Sequence, residues 1–211
     1  MPADPHLFEG EGERFRRYAR LLIDPVQRTL EIYNHDLFFQ AKVYDQLYGD
    51  IQRRFAPLRQ SDSNDDFFQQ LVIESYKALP LRSELTSEPF EVSVHMIRIE
   101  ATPDNETGRP APEGIHRDGY HFGSIHLMQR RNIHGAANHI YDLEKNLIHQ
   151  TFLEEPLDSI YFDDSAIFHG VSPFEPKDKA QRATRDMLIL LYQPLSCSPQ
   201  RPSPKRLLRK F

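Results

Sequence analysis

The chain has 211 residues, of which 39% are hydrophobic and 27% charged, as is ordinary for a soluble globular protein of one domain. No uncharged apolar stretch reaches the roughly eighteen residues of a membrane-spanning helix, and the first residues lack the basic and apolar regions of a signal peptide. The single cysteine excludes an internal disulfide, and together these features predict a cytoplasmic protein.

The net charge of −5 is unevenly distributed. Residues 196–211 carry five basic side chains, three prolines and no acid, which predicts a flexible, solvated tail. The rest of the chain is therefore at about −10 by the same count, −5 minus +5. An acidic body is a poor match for nucleic acid, so we expect neither a nucleic-acid nor a membrane partner.

The first part of the chain, about residues 30–80, has the pattern of helices. Apolar residues recur every three or four positions over 36–55, interrupted at Gly49, which predicts a first helix. A second is predicted over 65–79, with Ser63 or Asn64 as its cap and a stop at Pro80. We expect these helices to pack outside a β-structure.

The second part, about residues 90–194, is rich in β-branched and aromatic residues. Strands are predicted in seven short runs separated by Gly, Pro, Asn and Asp: 91–100, 123–128, 138–141, 147–152, 159–162, 166–171 and 186–192. The predicted fold class is α+β, with a double-stranded β-helix, the jelly-roll or cupin-like barrel, inside one domain of residues 1–195.

Three residues in this part have the composition of an iron site. His116 and Asp118 stand two positions apart, and His169 follows within the predicted strand 166–171. Two imidazoles and one carboxylate on one face are the ligand set of non-haem Fe(II) oxygenases. Arg185 opens the last apolar run, where its guanidinium could hold the distal carboxylate of 2-oxoglutarate; the alternatives are an ion pair for Arg185 and Arg182 in its place.

Ordered segments also carry a family resemblance. The runs at 112–120, 125–128, 155–158, 169–173 and 185–186 resemble the bacterial 2-oxoglutarate and Fe(II) dioxygenases related to L-isoleucine 4-hydroxylase. The resemblance implies His116, Asp118 and His169 as iron ligands and Arg185 as the 2-oxoglutarate anchor. It also places Ser172 where relatives have a hydroxyl on the same carboxylate.

The resemblance further implies the activity. Members with known activity hydroxylate aliphatic carbons of free amino acids, so we expect a small substrate here, a free L-amino acid. The reaction would use Fe(II), 2-oxoglutarate and O2 and release succinate and CO2, and ascorbate is the expected reductant in vitro. The carboxylate Asp118 favours hydroxylation over halogenation. Two departures bear on substrate choice: the loop at 135–137 differs from the family's paired glycines, and the chain begins where the family's arginine-rich segment begins.

Further side chains are candidates for the cavity. His126 is predicted either to line the 2-oxoglutarate cavity or to have a structural role, and of His95 and Arg98 at most one should face the cavity, because they are three residues apart on a strand. Candidates for binding the substrate are Arg98, His95, Arg16, Arg17 and Tyr18. The other histidines of this part, His121, His134, His139 and His149, are expected at the surface.

Three functions are compatible with these patterns. The first is a hydroxylase of a free amino acid or a similar small molecule. The second is an oxygenase acting on a protein side chain, and the third is a non-catalytic barrel that serves as a binding or regulatory module. The absence of an additional domain favours the first, and a closed pocket rather than an open groove beside the iron would support it. The patterns say nothing of oligomeric state.

Overall fold

One large sheet organises the molecule. The computed structural model describes residues 1–7, 13–33, 37–44, 47, 49–198 and 206–211. The sheet has eight strands. Their order is β11 (Ser159–Asp163), β7 (Phe122–Arg131), β14 (Ala183–Pro194), β6 (Phe90–Ala101), β1 (Glu13–Asp24), β2 (Thr29–Tyr33) and β15 (Arg206–Lys210), with β5 (Ala56–Pro57) beside β1. Neighbouring strands are antiparallel except for β1 and β5.

Three smaller sheets accompany it. One joins β10 (Leu147–Thr151), β9 (Asn138–Tyr141) and β12 (Phe168–Val171). The second pairs β8 (Ile133–Gly135) with β13 (Phe174–Pro176), and the third pairs β3 (Leu37–Phe38) with β4 (Arg53–Arg54). The described chain is therefore mostly β-structure, in agreement with the alternating patterns of its second part.

The helices found are α1 (Gln60–Ser63), α2 (Asp66–Lys77) and two single 3₁₀ turns, at Ser83–Leu85 and Leu195–Cys197. Helix α2 confirms the prediction for 65–79, although its cap is Asp65, whose side chain accepts from the Phe68 amide at 2.8 Å. Its apolar stripe packs on one face of the large sheet. Val72 and Ile73 of this stripe are fully buried, and each contributes about 1.5–3 kcal/mol.

The predicted helix over 36–55 is wrong, and so is the expectation of a helical region through most of 30–80. The described residues of 36–55 form β3, β4 and turns, while 36, 45, 46 and 48 lie outside the described part. Asp50 takes the left-handed conformation at φ 62°, which a helix does not allow. Two apolar residues of this segment, Phe38 and Phe55, pack instead with Tyr18 of β1.

The carboxyl-terminal end also differs from its prediction. Residues 206–210 are not a flexible tail but the edge strand β15 on β2, and Arg206 donates to Asn64 Oδ1 at 2.6 Å and to Ser63 Oγ at 2.9 Å. Leu208 and Phe211 pack against the core beside α2. Residues 199–205 lie outside the described part. None of the helices described is long and apolar enough to cross a bilayer.

Strand alternation gives the large sheet two different faces. On β6 the even residues Val92 and Val94 join the core under α2. The odd residues His95, Ile97 and Ile99 point the other way, into a cavity between this sheet and β12. Strands β1, β6 and β14 thus each present alternate side chains to this cavity.

Candidate functional site

The cavity brings together the three residues predicted to hold iron. His116, in the loop before β7, forms a two-way backbone bridge with His169 of β12, with both N–H···O distances at 2.9 Å. His169 Nε2 lies 3.4 Å from Asp118 Oδ2, and His116 Nε2 lies 4.0 Å from Asp118 Oδ1. One nitrogen of each ring and one carboxylate oxygen are all within 4.8 Å of one another, a spacing that a single metal ion can bridge.

The surroundings of the two rings fit metal ligation. His116 Nδ1 lies 3.0 Å from the Gly114 carbonyl, and a proton donated there leaves the Nε2 lone pair free to face Asp118. His169 Nδ1 is buried and has no partner within the described part of the chain. Both rings are therefore oriented with Nε2 toward the space that Asp118 also faces, as a bound cation requires.

Burial shifts the pKa values of the residues at this site. It raises the pKa of the Asp118 carboxyl to about 7 against the opposing effect of His116, and it lowers the pKa of His169 well below the usual range. At His116 burial also acts to lower the pKa, but the carboxylates of Glu113 and Asp118 raise it overall. A divalent cation would stabilise the ionised carboxylate and the neutral imidazoles that ligation needs.

Asp164 fixes the loop that carries Asp118. Its fully buried carboxylate accepts three backbone N–H groups, from Asp118 at 3.0 Å, Gly119 at 2.7 Å and Tyr120 at 3.2 Å. Its carbonyl accepts from Arg117 Nε at 2.6 Å. Because consecutive amides converge on one carboxylate, the loop conformation and with it the Asp118 side chain are held in place.

Arg185 lies in the same cavity, as the sequence predicted. Only 3% of the residue is exposed, and its Nη2 donates to Asn138 Oδ1 at 3.3 Å, while its Nε has no partner among the described residues. Burial and the nearby Arg130 lower its pKa to about 10, so it still carries a charge at neutral pH. A buried guanidinium with spare donors is suited to binding a carboxylate.

Arg182, the alternative to Arg185, points to the surface: its side chain is 60% exposed, and its Nη1 lies 3.0 Å from Glu100 Oε2.

A second cationic region lies on β1. Arg16 and His95 both line the cavity and are joined by a 2.6 Å contact from the Arg16 Nη2 to the His95 Nδ1. Burial, then the charge of Arg16, lowers the pKa of His95 well below its usual range, so the ring accepts this hydrogen bond as a neutral imidazole. The guanidinium of Arg16 stacks 4.1 Å above the Phe55 ring.

Several predicted residues do not reach the cavity. Arg98 is on the α2 face and binds Asp186 in a fork at 2.7 and 2.6 Å, so its predicted substrate role is corrected to an ion pair. His126 is on that face too, among the hydroxyls of Ser75, Ser124 and Ser159. This is the structural alternative that the sequence left open, and the 2-oxoglutarate role of His126 is corrected accordingly.

Three further candidates are also placed elsewhere. The Ser172 hydroxyl accepts from the Ala137 amide at 2.9 Å and is not among the cavity walls. Arg17 is on the opposite side of β1 from Arg16 and donates to the Pro57 carbonyl. Tyr18 is buried in an aromatic cluster and accepts from Ser93. Of the three candidates on β1, Arg16 lines the cavity, whereas Arg17 and Tyr18 do not.

Sequence reasoning missed three cavity or supporting residues. Arg14 lines the cavity two positions before Arg16, and Glu113 lines it three positions before His116. Asp164 supports the Asp118 loop from outside the cavity. Alternation along 14, 16 and 18 could have indicated Arg14 once β1 was recognised as a strand, whereas Asp164 stands in an ordinary polar turn and gives no comparable signal.

Comparison with known proteins agrees with this geometry. The family model described as 2OG-Fe dioxygenase matches residues 1–191. The chain belongs to this family and is a 2-oxoglutarate-dependent non-haem iron dioxygenase. Fe(II) and 2-oxoglutarate are the cofactor and co-substrate that the family implies. No curated protein matches the chain in a sequence search.

Solved structures with the same fold include a bsmA homologue from Methylobium petroleophilum PM1. It is 27% identical, with a TM-score of 0.83 over 96% of this chain and 79% of that one. IDO from Bacillus thuringiensis is 22% identical, with a TM-score of 0.73 over 89% of this chain and 81% of its own.

The Fe(II)/α-ketoglutarate-dependent dioxygenase TqaL is 21% identical, with a TM-score of 0.64 over 90% of this chain and 72% of its own. At these identities IDO and TqaL support the fold alone.

Proposed function

We propose that the protein hydroxylates an aliphatic carbon of a free L-amino acid, in a reaction that consumes 2-oxoglutarate and O2 and releases succinate and CO2. The observation that carries this proposal is one cavity containing His116, Asp118 and His169 with the buried Arg185. The finer relationship to L-isoleucine 4-hydroxylases is part of the proposal. We also propose that the sheets form a double-stranded β-helix and that residues 1–195 form one catalytic domain.

The chain's own residues have distinct tasks in this proposal. His116, Asp118 and His169 hold Fe(II), which when bound supplies the oxidising chemistry with O2 and 2-oxoglutarate. Arg185 pairs with the distal carboxylate of 2-oxoglutarate and so fixes the orientation of that molecule in the cavity. Since an aliphatic C–H bond offers no acid or base to act on, the remaining walls contribute by placing the substrate carbon.

The walls suit a compact substrate. The cavity volume is about 110 Å³. Apolar side chains of the large sheet, Ile97, Ile99, Met187 and Ile189, line it beside the charged groups. Such walls exclude water from the reacting centre and contact an aliphatic chain, while the Arg16 and His95 pair provides a polar end. These features support a small molecule over a protein side chain.

Succinate formation tests the proposal. Purified protein is incubated with Fe(II), ascorbate and 2-oxoglutarate across a panel of free L-amino acids, with Asp118→Ala as the inactive control. Succinate that rises with one amino acid and is lost in the control supports the proposal. Succinate formed only with a peptide or protein would contradict the free amino acid as substrate. The absence of any 2-oxoglutarate turnover or binding would contradict the assignment of the site.

A further inference from the structure

A second carboxylate lies beside the proposed metal ligands. Glu113 lines the cavity, and its Oε1 is 3.4 Å from His116 Nε2. It is not one of the three residues whose ligand atoms lie within 4.8 Å of one another. In the described part of the chain, this contact with His116 is the one ion pair or hydrogen bond that its side chain makes. The Glu113 carboxylate therefore faces the substrate space without belonging to the ligand set.

Metal ligation would remove this partner. If His116 binds Fe(II) through Nε2, as the Gly114 contact at Nδ1 favours, that nitrogen carries no proton to share with Glu113. A largely buried carboxylate that has lost its hydrogen-bond donor is costly, and a bound Fe(II) would offset the charge without replacing that hydrogen bond. An N–H donor brought into the cavity by another molecule would supply the missing partner.

The same cavity also has cationic walls. Arg14 and Arg16 line it from β1; each is 8% exposed, and the Nε of each is buried without a partner. Arg16 Nη1 lies 3.9 Å from Asp4 Oδ2. One cavity thus offers donors for a carboxylate on β1 and an acceptor for a cation next to the metal ligands.

We propose that Glu113 binds the ammonium group of the substrate and so selects a substrate that carries an amine. Arg14 and Arg16 bind the carboxylate of the same substrate. The inference rests on the proposed function and deepens it. It assigns Glu113 a specificity role and no role in ligation. The α-ammonium and α-carboxylate of a zwitterionic amino acid match this pair of charges, whereas the same carbon skeleton without the amine would leave Glu113 without a donor.

Equilibrium binding without O2 tests the role of Glu113. Protein loaded with Fe(II) and 2-oxoglutarate is titrated calorimetrically with each proteinogenic L-amino acid, and then with the carboxylic acid that has the same chain as the tightest binder but no amino group. We expect the wild type to prefer the amino acid by about 10- to 100-fold, the effect of one buried charged hydrogen bond. In Glu113→Gln this preference should fall by most of that factor. Affinity for the amine-free acid should be unchanged.

Two controls separate the role of Glu113 from general effects. Glu106→Gln removes a surface carboxylate that pairs with Lys179 and should keep the wild-type preference. Glu113→Asp keeps the charge and should retain a measurable part of it. The absorption band of bound Fe(II) and 2-oxoglutarate is recorded in every variant.

The outcomes distinguish the inference from the proposed function. A wild type that binds no amino acid, or binds both acids equally, overturns the inference while an intact absorption band leaves the dioxygenase assignment standing. Preference unchanged in Glu113→Gln overturns it as well. Loss of the band in Glu113→Gln would make Glu113 a metal ligand and also overturn it. Absence of the band in the wild type would instead contradict the proposed function.

Discussion

Replacing Asp164 with asparagine should weaken both the fold and the metal site. The carboxylate accepts Asp118 N–H on Oδ1 and the Gly119 and Tyr120 N–H groups on Oδ2. An asparagine keeps one acceptor oxygen and turns an NH2 group toward the remaining donor or donors. At about 1.5–3 kcal/mol for each hydrogen bond to a charged group, we expect the free energy of unfolding to fall by about 2–4 kcal/mol.

The same substitution should reduce metal affinity, because the Asp118 loop loses its fixed conformation. Changes to groups that orient metal ligands typically cost about 10- to 100-fold in affinity. Urea unfolding of the metal-free protein measures stability, and anaerobic calorimetry with Fe(II) measures affinity. The matched control is Asp163→Asn, since Asp163 accepts from Ser165 in an exposed turn outside the site. Wild-type stability together with wild-type affinity in Asp164→Asn would refute the reasoning.

Three further predictions follow from buried groups. Arg185→Gln should raise the KM for 2-oxoglutarate by about 10- to 100-fold, whereas the surface variant Arg182→Gln should not, as steady-state kinetics will show. Gly123→Ala places a Cβ 2.2 Å from the Phe162 ring and should lower the free energy of unfolding by about 1–3 kcal/mol in urea titrations. Burial lowers the pKa of His126 to about 4, so its unfolded form binds protons more readily. The free energy of unfolding should therefore decrease by up to roughly 3 kcal/mol as the pH is lowered from about 6.5 to 4. A smaller decrease in His126→Asn, measured in the same titration, is the check.

The grouping of the candidate site residues could be predicted from sequence because they are few and chemically specific. His116, Asp118, His169 and Arg185 have the side chains that an iron and carboxylate site needs, and the structure brings all four into one cavity. The direction of a strand side chain was less accessible. Whether His95 or Arg98 faces inward depends on which sheet face is covered by α2, and that is decided by tertiary packing.

The amino-terminal half was harder to predict for a physical reason. Strand β1 buries Arg14 and Arg16 on its cavity side, so its inward positions are charged rather than apolar and the usual alternation is hidden. In the segment 36–55, Phe38 and Phe55 are buried against Tyr18 of β1, whereas Leu47 and Ile51 of the same apolar pattern are exposed. The three- and four-residue spacing there does not mark one buried face, so it does not indicate a helix.

The claim that His116, Asp118 and His169 form an iron site is tested most directly by anaerobic titration of the protein with Fe(II) in the presence of 2-oxoglutarate, followed by the charge-transfer absorption band. We predict a band that saturates at a single Fe(II) per chain and that disappears in Asp118→Ala and in His169→Ala. In Glu106→Gln the band should be unchanged. A wild-type band in both ligand variants would contradict the account.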